Sequence, residues 1–304
     1  MALVSARDAL ALDEDLPPLV EALGDLGVFV DTPCWDDPDV DWSRYGLAVL
    51  RSTWDYVDRI DEFLAWADRC AARTRLVNPP AVLRWNTDKH YLLDLARAGV
   101  PVVPTRFVEP GADAHVELDG LLAGDGDAVH VGTPGRFDEF VVKPSIGAGS
   151  RDAARYRRAD RERARAHLQR LLDTGRSAML QPYLAGVDEH GETAAVYFGG
   201  HFSHAFRKGP LLKLGDELVS GLFAPEQITA READASERRV ARAACEAIPF
   251  DAPLYARVDM IRDEQGEPVV LELELTEPSL YLAHAPGSAQ RFASVLTARR
   301  PSST

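Results

Sequence analysis

The first eighty residues alternate short apolar runs with a stretch of helical periodicity, and this alternation limits the possible folds more than any other feature of the chain. Residues 2–5, 28–30 and 47–50 have the length and composition of buried strands. Residues 16–26 carry apolar side chains at helical spacing and precede Gly27, a common helix C-cap. Strand, helix and strand in this order predict the α/β class, with a doubly wound parallel sheet at the N-terminus.

Further strands and helices follow, without an internal repeat. We expect helices over residues 86–98, 158–174 and 232–247, and strands over residues 139–143, 178–184, 192–198, 202–206, 254–261 and 269–275. Residues 110–136 are rich in Gly, Asp and His without a clean period, so we expect a loop there with at most a short helix.

Acidic residues outnumber basic ones by 48 to 34, which gives a formal net charge of −14 at pH 7. A surface this acidic argues against non-specific binding to nucleic acid or to anionic membranes. No apolar run reaches the roughly 20 residues that span a bilayer, and no signal-type segment opens the chain. The three cysteines, Cys34, Cys70 and Cys245, are odd in number and far apart, which favours a reducing compartment. We therefore expect a cytoplasmic globular protein, with its oligomeric state left open.

Acidic residues alternate with apolar ones in the last strand pair. If residues 265–266 form a two-residue turn, Asp259 lies opposite Glu272 and Arg257 lies opposite Glu274, all on one face. Three carboxylates and one guanidinium leave a net negative charge on this face, so the carboxylates repel one another. A divalent cation such as magnesium would remove this repulsion. A solvent-facing sheet with cross-strand ion pairs is the alternative.

A second signal is Lys143, at the end of an apolar strand and before a loop of small residues. The backbone amides of a loop containing Ser145, Gly147 and Gly149 can approach phosphate oxygens, while the lysine supplies positive charge. No G-K-[ST] follows, so this loop is not a P-loop.

Two weaker signals complete the set. Lys89 is predicted in the first turns of a helix, where a lysine alone is most often a surface residue. A predicted strand runs into a proline in the segment Gln181, Pro182, Tyr183 and Leu184. Such a strand end leaves backbone groups free to pair with a base, and the nearby Glu192 could hold a ribose.

Taken in this order, the four pieces resemble the ATP-grasp superfamily over the whole chain. The family's closing pattern, E-[IV]-N-x-[TS]-x-P, is matched by residues 272–278, with Glu274 where the family usually has Asn. The resemblance implies an ATP-grasp fold: an N-terminal α/β domain over residues 1–84 and two α+β lobes over 85–184 and 185–304. Residues 51–56 and 271–280 look closest to the branch containing the cyclo-ligase of D-cycloserine biosynthesis, an antibiotic pathway, which closes O-ureido-D-serine into a ring.

Membership implies an enzyme that activates a carboxylate with ATP as an acyl phosphate, which an amine then attacks. It implies that two magnesium ions bind to Asp259, Glu272 and Glu274. It implies that Lys89 and Lys143 bind the phosphates under the loop of Ser145, Gly147 and Gly149. Adenine is then expected at Gln181, Pro182, Tyr183 and Leu184, and the ribose at Glu192. The expected catalytic cations are Arg257, Arg207 and Lys208.

A polar and aromatic segment follows the strand at 47–50, where ligands bind in parallel sheets. Ser279 is expected on the opposite side of the organic substrate. The residues of the segment that are expected to face this substrate are Arg51, Ser52, Thr53, Asp55 and Tyr56. An Arg suits a bidentate grip on a carboxylate and an Asp suits an ammonium, which together describe a small zwitterion. The alternative is a helix N-cap whose aromatic residues pack in the core.

Two other functions fit the same resemblance. A phosphotransferase of this fold would release ADP and stop at a phosphorylated product, and a non-catalytic ATP-binding module would act as a scaffold. The full set of acids and lysines argues against the second, while no sequence feature separates a ligase from a kinase.

Overall fold

The computed structural model describes residues 1–123, 131, 137–215 and 226–299. Its strands are β1 Ala2–Ser5, β2 Ala48–Ser52, β3 Leu76–Val77, β4 Arg106–Val108, β5 Glu139–Pro144, β6 Ala154–Arg157, β7 Ala178–Pro182, β8 Glu192–Phe198, β9 His201–Lys208, β10 Ile228–Arg231, β11 Tyr255–Arg262 and β12 Pro268–Glu274. Its α-helices are α1 Leu16–Asp25, α2 Ile60–Ala71, α3 Pro80–Asn86, α4 Tyr91–Arg97, α5 Ala114–Ala123, α6 Arg161–Asp173, α7 Gly186–His190, α8 Ala235–Glu246 and α9 Ser288–Ala298. None of these helices is long and apolar enough to cross a bilayer.

The N-terminal sheet is parallel, in the order β1-β2-β3, which confirms the predicted α/β start. The strand predicted at 28–30 was wrong, because the edge segment that pairs with β1 begins at Asp31. Its backbone hydrogen bonds reach as far as Trp35, and Pro33, which has no N–H to donate, interrupts the ladder. The displaced Phe29 is 93% exposed.

The second sheet is antiparallel, in the order β4-β7-β5-β6. Successive side chains of β5 point to opposite faces. Phe140 and Val142 pack against α5 and α6, whereas Val141 and Lys143 line a cavity. Helix α5 occupies ten residues of the stretch in which a loop was expected, and most of the rest of that stretch lies outside the described residues.

The third sheet is also antiparallel, in the order β10-β9-β8-β11-β12. Helix α8 covers one face, where Ala241 packs in one cluster with Val258 of β11. Helix α9 returns to the N-terminal part of the molecule and packs against α1. Phe292 of α9 stacks on Phe198 of β8, with ring centroids 4.5 Å apart.

The helix predicted over 86–98 is interrupted, because α3 ends at Asn86 and α4 begins at Tyr91. The helix stops because the Lys89 N–H donates to the Ser145 carbonyl at 3.0 Å rather than to a residue of α3. The side chain of Asn86 then anchors the end of α3. Its amide donates to the Leu273 carbonyl and accepts from the Leu275 N–H, each at 2.7 Å, so it completes the edge of β12. The break turns Lys89 toward the third sheet.

Candidate active site

A cavity of about 580 Å³ is lined by residues from both antiparallel sheets, by the loop after β5 and by N-terminal residues 12–15. Most of the expected site residues contribute to its wall. Those that do not are Arg51, Ser52, Thr53, Asp55, Ser145, Arg207 and Asp259.

The final hairpin pairs the residues that the sequence predicts. Arg257 lies opposite Glu274, and Asp259 lies opposite Glu272. Because alternate residues share a face, all four side chains lie on the cavity side of the sheet.

The turn that joins these strands differs from the expected one. A backbone hydrogen bond of 2.9 Å from Asp263 to Glu267 closes a three-residue loop at 264–266. If this register continued through β12, Glu272 and Glu274 would lie on the face opposite to that of Asp259 and Arg257. A bulge at Leu271 inserts one residue and returns the acids to the cavity side.

The guanidinium of Arg257 is held by three neighbours. Its Nε and Nη2 donate to the two carboxylate oxygens of Asp259 at 2.9 and 2.8 Å, and its Nη1 donates to the Ser279 carbonyl at 2.9 Å. Nη2 also pairs with Glu274. Burial acts to raise the pKa of Asp259, but Arg257 and Lys208 lower it to about 2. Asp259 is therefore ionised and fixes the position of Arg257.

Lys208 and Arg207 are neighbours on β9 and point to opposite sides of the sheet. Lys208 Nζ lies 2.8 Å from both Asp259 Oδ2 and Glu192 Oε2 and lines the cavity. Arg207 instead donates to the His190 carbonyl at 2.6 Å. Arg207, expected as a catalytic cation, therefore lies away from the cavity, because its strand position directs it to the other side of the sheet.

The hairpin carboxylates have more cationic partners than Arg257, the one cation that the sequence analysis counted on this face. Lys208 pairs with Asp259, and Lys89 Nζ lies 3.0 Å from Glu272 Oε1. These cations come from β9 and from the break between α3 and α4, which only tertiary packing brings to the hairpin. Excess negative charge is therefore not an argument for a metal here.

Two carboxylates nevertheless fit a divalent cation. Glu272 and Glu274 line the cavity with side chains 25% and 26% exposed. Burial, together with Asp259 and Glu272, raises the pKa of Glu274 to about 7 against the effect of Arg257. Asp259 has both oxygens engaged, Oδ1 by Arg257 and Oδ2 by Arg257 and Lys208. No group of three or more acidic, His or Cys side chains in the described part of the chain is arranged around one metal position. Asp259 can act as a ligand only if Lys208 or Arg257 releases it.

Two lysines approach the cavity from the second sheet and its loop. Lys89 Nζ donates to the Gly147 carbonyl at 2.7 Å, which joins the loop after β5 to Glu272. The side-chain ammonium of Lys143 forms no hydrogen bond or ion pair with any other described residue. Burial lowers its pKa to about 8, with Glu272 opposing and Lys89 reinforcing the shift. Lys143 is thus a cation without an anion.

The small-residue loop covers one side of the cavity through Gly147 and Gly149. Ser145 does not line it, because its backbone bonds to Lys89 and to Ser177 and its side chain is buried. At the far end of the loop, Arg151 makes a two-pronged pair with Asp58, with distances of 2.9 and 3.2 Å. This contact joins the loop to the N-terminal part of the chain.

The strand expected to contact adenine lies in the cavity wall. Gln181 donates its side-chain amide to Thr105 at 2.8 Å, and the Tyr183 N–H donates to the Glu139 carbonyl at 2.8 Å. The N–H of Leu184, two residues after the proline, has no partner among the described residues. The Tyr183 N–H is therefore already engaged, whereas the Leu184 N–H is free to bind a base.

Arg51 is placed differently from the expected substrate contact. Its side chain is 0% exposed, and Nη2 lies 3.2 Å from Asp15 and 3.6 Å from Asp13. Its Nη1 donates to the Pro278 carbonyl at 3.2 Å. The structure therefore places Arg51 in the core and not in the cavity wall where a substrate carboxylate was expected, because two acids of the loop after β1 surround the guanidinium.

The rest of this segment divides between core and cavity. The Ser52 hydroxyl bonds to Ser5, Thr53 is buried, and Asp55 accepts from the Trp35 indole at 2.8 Å. None of the three lines the cavity, which agrees with the alternative in which this segment packs in the core. Tyr56 does line it, as does Ser279 on the C-terminal side.

Two groups of cavity residues were missed from the sequence. Asp13 and Asp15 belong to a run of three acids after β1, a signal that parallel-sheet geometry could have identified. Glu277 lies in the closing motif, and burial, with Glu274 adding to the effect, raises its pKa to about 8.

Comparison with known proteins places this geometry among characterised structures. Residues 1–78 match the family model of the D-cycloserine synthetase DcsG N-terminal domain. The chain is 42% identical over 304 residues to the cycloserine biosynthesis protein DcsG of Streptomyces lavendulae, covering 98% of each.

Solved structures extend the comparison. The crystal structure of D-cycloserine synthetase DcsG superposes with a TM-score of 0.89 at 42% identity, over 98% of both chains. The ATP-grasp ligase PsnB, in complex with a minimal precursor, Mg and ADP, gives a TM-score of 0.61 at 16% identity, over 98% of this chain and 96% of PsnB. The second likeness is one of fold.

Proposed function

The chain belongs to the family of the cycloserine synthetase DcsG and is an ATP-grasp ligase, and we propose that it activates a substrate carboxylate as an acyl phosphate and closes it onto a nitrogen of the same molecule. In the first step a carboxylate oxygen takes the terminal phosphoryl group of ATP, and ADP leaves. In the second the nitrogen attacks the carbonyl carbon and loses a proton, and inorganic phosphate leaves. The substrate proposed is O-ureido-D-serine or a close relative, which fits a role in antibiotic biosynthesis.

The observation that carries the proposal is the meeting of cations and acids in one cavity. Lys89 and Lys143 reach it from one side, and Glu272 and Glu274 reach it from the other. A polyphosphate needs positive groups along its length and metal-bearing carboxylates beside it, so the pattern is suited to phosphoryl transfer.

The nucleotide is proposed to lie along the second sheet. The free Leu184 N–H is the donor for the base, and Glu192 is the acceptor for the ribose. Lys208 Nζ lies 2.8 Å from Glu192 Oε2 but makes no hydrogen bond to it, so the Glu192 carboxylate can still accept from a ribose hydroxyl. Lys143, which has no anionic partner among the described residues, is the residue best suited to a phosphate oxygen.

Glu272 and Glu274 are proposed as the principal magnesium ligands, with Asp259 joining them. Magnesium bound there would neutralise charge on the phosphates. The protein's own contribution is position, because Lys89 holds Glu272 and Arg257 holds Glu274.

Arg257 is proposed to stabilise the acyl phosphate and the oxyanion that follows. Its hydrogen bonds to Asp259 and Ser279 prevent rotation of the guanidinium, so it is ready before charge develops. Lys208, held by Asp259 and Glu192, adds a second fixed cation.

The proposal has three further parts: the division of the chain into domains, the class of substrate and the location in the cell. The chain divides into residues 1–84, 85–184 and 185–304, and the three sheets lie one in each part. The partner is a small zwitterion. A cytoplasmic location is supported by three cysteines without disulfides.

The test measures ADP and inorganic phosphate released with O-ureido-D-serine, ATP and Mg²⁺, together with the cyclic product. A ligase releases ADP and phosphate in equal amounts, and Arg257→Met should abolish both. ADP without phosphate would indicate a phosphotransferase. ADP release no higher than in the absence of the organic substrate would refute the proposed reaction.

A further inference from the structure

One carboxylate oxygen of Asp13 has no partner in the described part of the chain. Asp13 is 5% exposed and lines the cavity. Its Oδ1 accepts from the Asp15 N–H at 3.0 Å and lies 3.6 Å from Arg51, whereas Oδ2 is buried and unbonded. A buried carboxylate oxygen without a donor is unfavourable, so Oδ2 is the oxygen left for a ligand.

The neighbouring acid leaves no such oxygen. Asp15 accepts from the three backbone N–H groups of residues 280–282, at 2.6, 3.1 and 2.7 Å, and from Arg51 at 3.2 Å. Arg51 carries one positive charge for two carboxylates, so the cluster has a net charge of −1. Because Asp15 is saturated, the remaining charge is available at Asp13 and favours a cation.

The cluster lies next to the proposed reaction centre. The Ser279 carbonyl accepts from Arg257, and the N–H of the following residue, Leu280, donates to Asp15. One short segment therefore contacts both groups. This segment links the proposed carboxylate site at Arg257 to the cluster that contains Asp13.

We propose that Asp13 Oδ2 binds the primary ammonium of an amino-acid substrate, and that Arg51 is a positioning residue that fixes Asp13 from behind. This rests on the proposed function. A metal ion is disfavoured because one free oxygen cannot supply the several ligands that hard cations require. A single charge-assisted hydrogen bond matches an N–H donor.

Binding is measured by calorimetry in the presence of a non-hydrolysable ATP analogue and Mg²⁺, which separates the contact from turnover. The ligands are O-ureido-D-serine and 3-(ureidooxy)propanoate, which lacks only the ammonium. The unaltered protein should bind the first about 10- to 100-fold more tightly, the range of one hydrogen bond to a charged group. Equal affinities would overturn the proposal without any variant.

The matched variants are Asp13→Asn and Glu14→Gln. Glu14 also lines the cavity but is exposed, so it controls for a general loss of negative charge. Asp13→Asn should bind the two ligands within about threefold of each other, whereas Glu14→Gln should discriminate as the unaltered protein does. Nucleotide affinity should stay within about twofold in both, since neither residue is among those proposed to hold the nucleotide.

Two outcomes distinguish this proposal from the proposed function. Discrimination that survives in Asp13→Asn, or that disappears equally in Glu14→Gln, overturns the ammonium site. Discrimination that depends on Asp13 in a protein that releases no ADP supports the site and refutes the reaction. If Asp13→Asn does not fold, equal affinities of the two ligands on the unaltered protein, or loss of discrimination in Glu14→Gln, still overturn the proposal.

Discussion

Replacing Arg51 by Met should destabilise the protein strongly. Methionine has a similar length and suits an apolar site, but it leaves Asp13 and Asp15 buried without their cation. It also removes the hydrogen bond to the Pro278 carbonyl, which joins β2 to the C-terminal part of the chain.

The magnitude follows from burial. Breaking a buried ion pair by removing one partner costs about 3–5 kcal/mol, because the remaining charge stays desolvated. Arg59→Met is the matched control, since Arg59 pairs with three carboxylates but its side chain is 35% exposed. Exposed ion pairs contribute about 0–1 kcal/mol each, so the control should lose far less despite having more partners.

Thermal unfolding followed by tryptophan fluorescence reports the effect, because four of the five tryptophans lie in the N-terminal part: Trp35, Trp42, Trp54 and Trp66. On a scale of roughly 2–4 °C per kcal/mol, the midpoint should fall by about 6–20 °C in Arg51→Met. A fall no larger than that of Arg59→Met would refute the assignment of Arg51 to the fold and return it to the substrate.

Three further predictions concern the cavity. Glu272→Gln preserves shape but removes a proposed metal ligand, so ADP formation should fall about 100-fold or more with an unchanged unfolding midpoint; normal turnover at saturating Mg²⁺ would contradict this. Burial lowers the pKa of Lys143 to about 8, so the ammonium deprotonates as the pH rises through that value and ATP affinity should decrease there, whereas Lys143→Arg should give a flat profile. Proteinase K should cleave between Ser145 and Arg151 in the free protein and more slowly with an ATP analogue bound; Arg151→Gln, which breaks the pair with Asp58, should speed cleavage of the free protein.

The pairing of acids in the final hairpin was predictable although the turn was not. Alternation of acidic and apolar residues marks which positions share a face, and that pattern is local. The three-residue loop and the bulge at Leu271 are offsetting irregularities, and the pattern alone does not separate them from a plain two-residue turn. The prediction that Asp259 lies opposite Glu272 was therefore correct, although it assumed a two-residue turn and no bulge.

The sequence by itself determined the order of strands and helices, the residues of the hairpin face, and the family resemblance, because each depends on spacing along the chain. Tertiary structure decided which charges meet. Lys208 reaches Asp259 across 51 positions of sequence, and Arg51 reaches Asp15 across 36. Whether an arginine binds a substrate or a buried carboxylate depends on which group arrives within about 3–4 Å of it, and only the packing of distant segments fixes that distance.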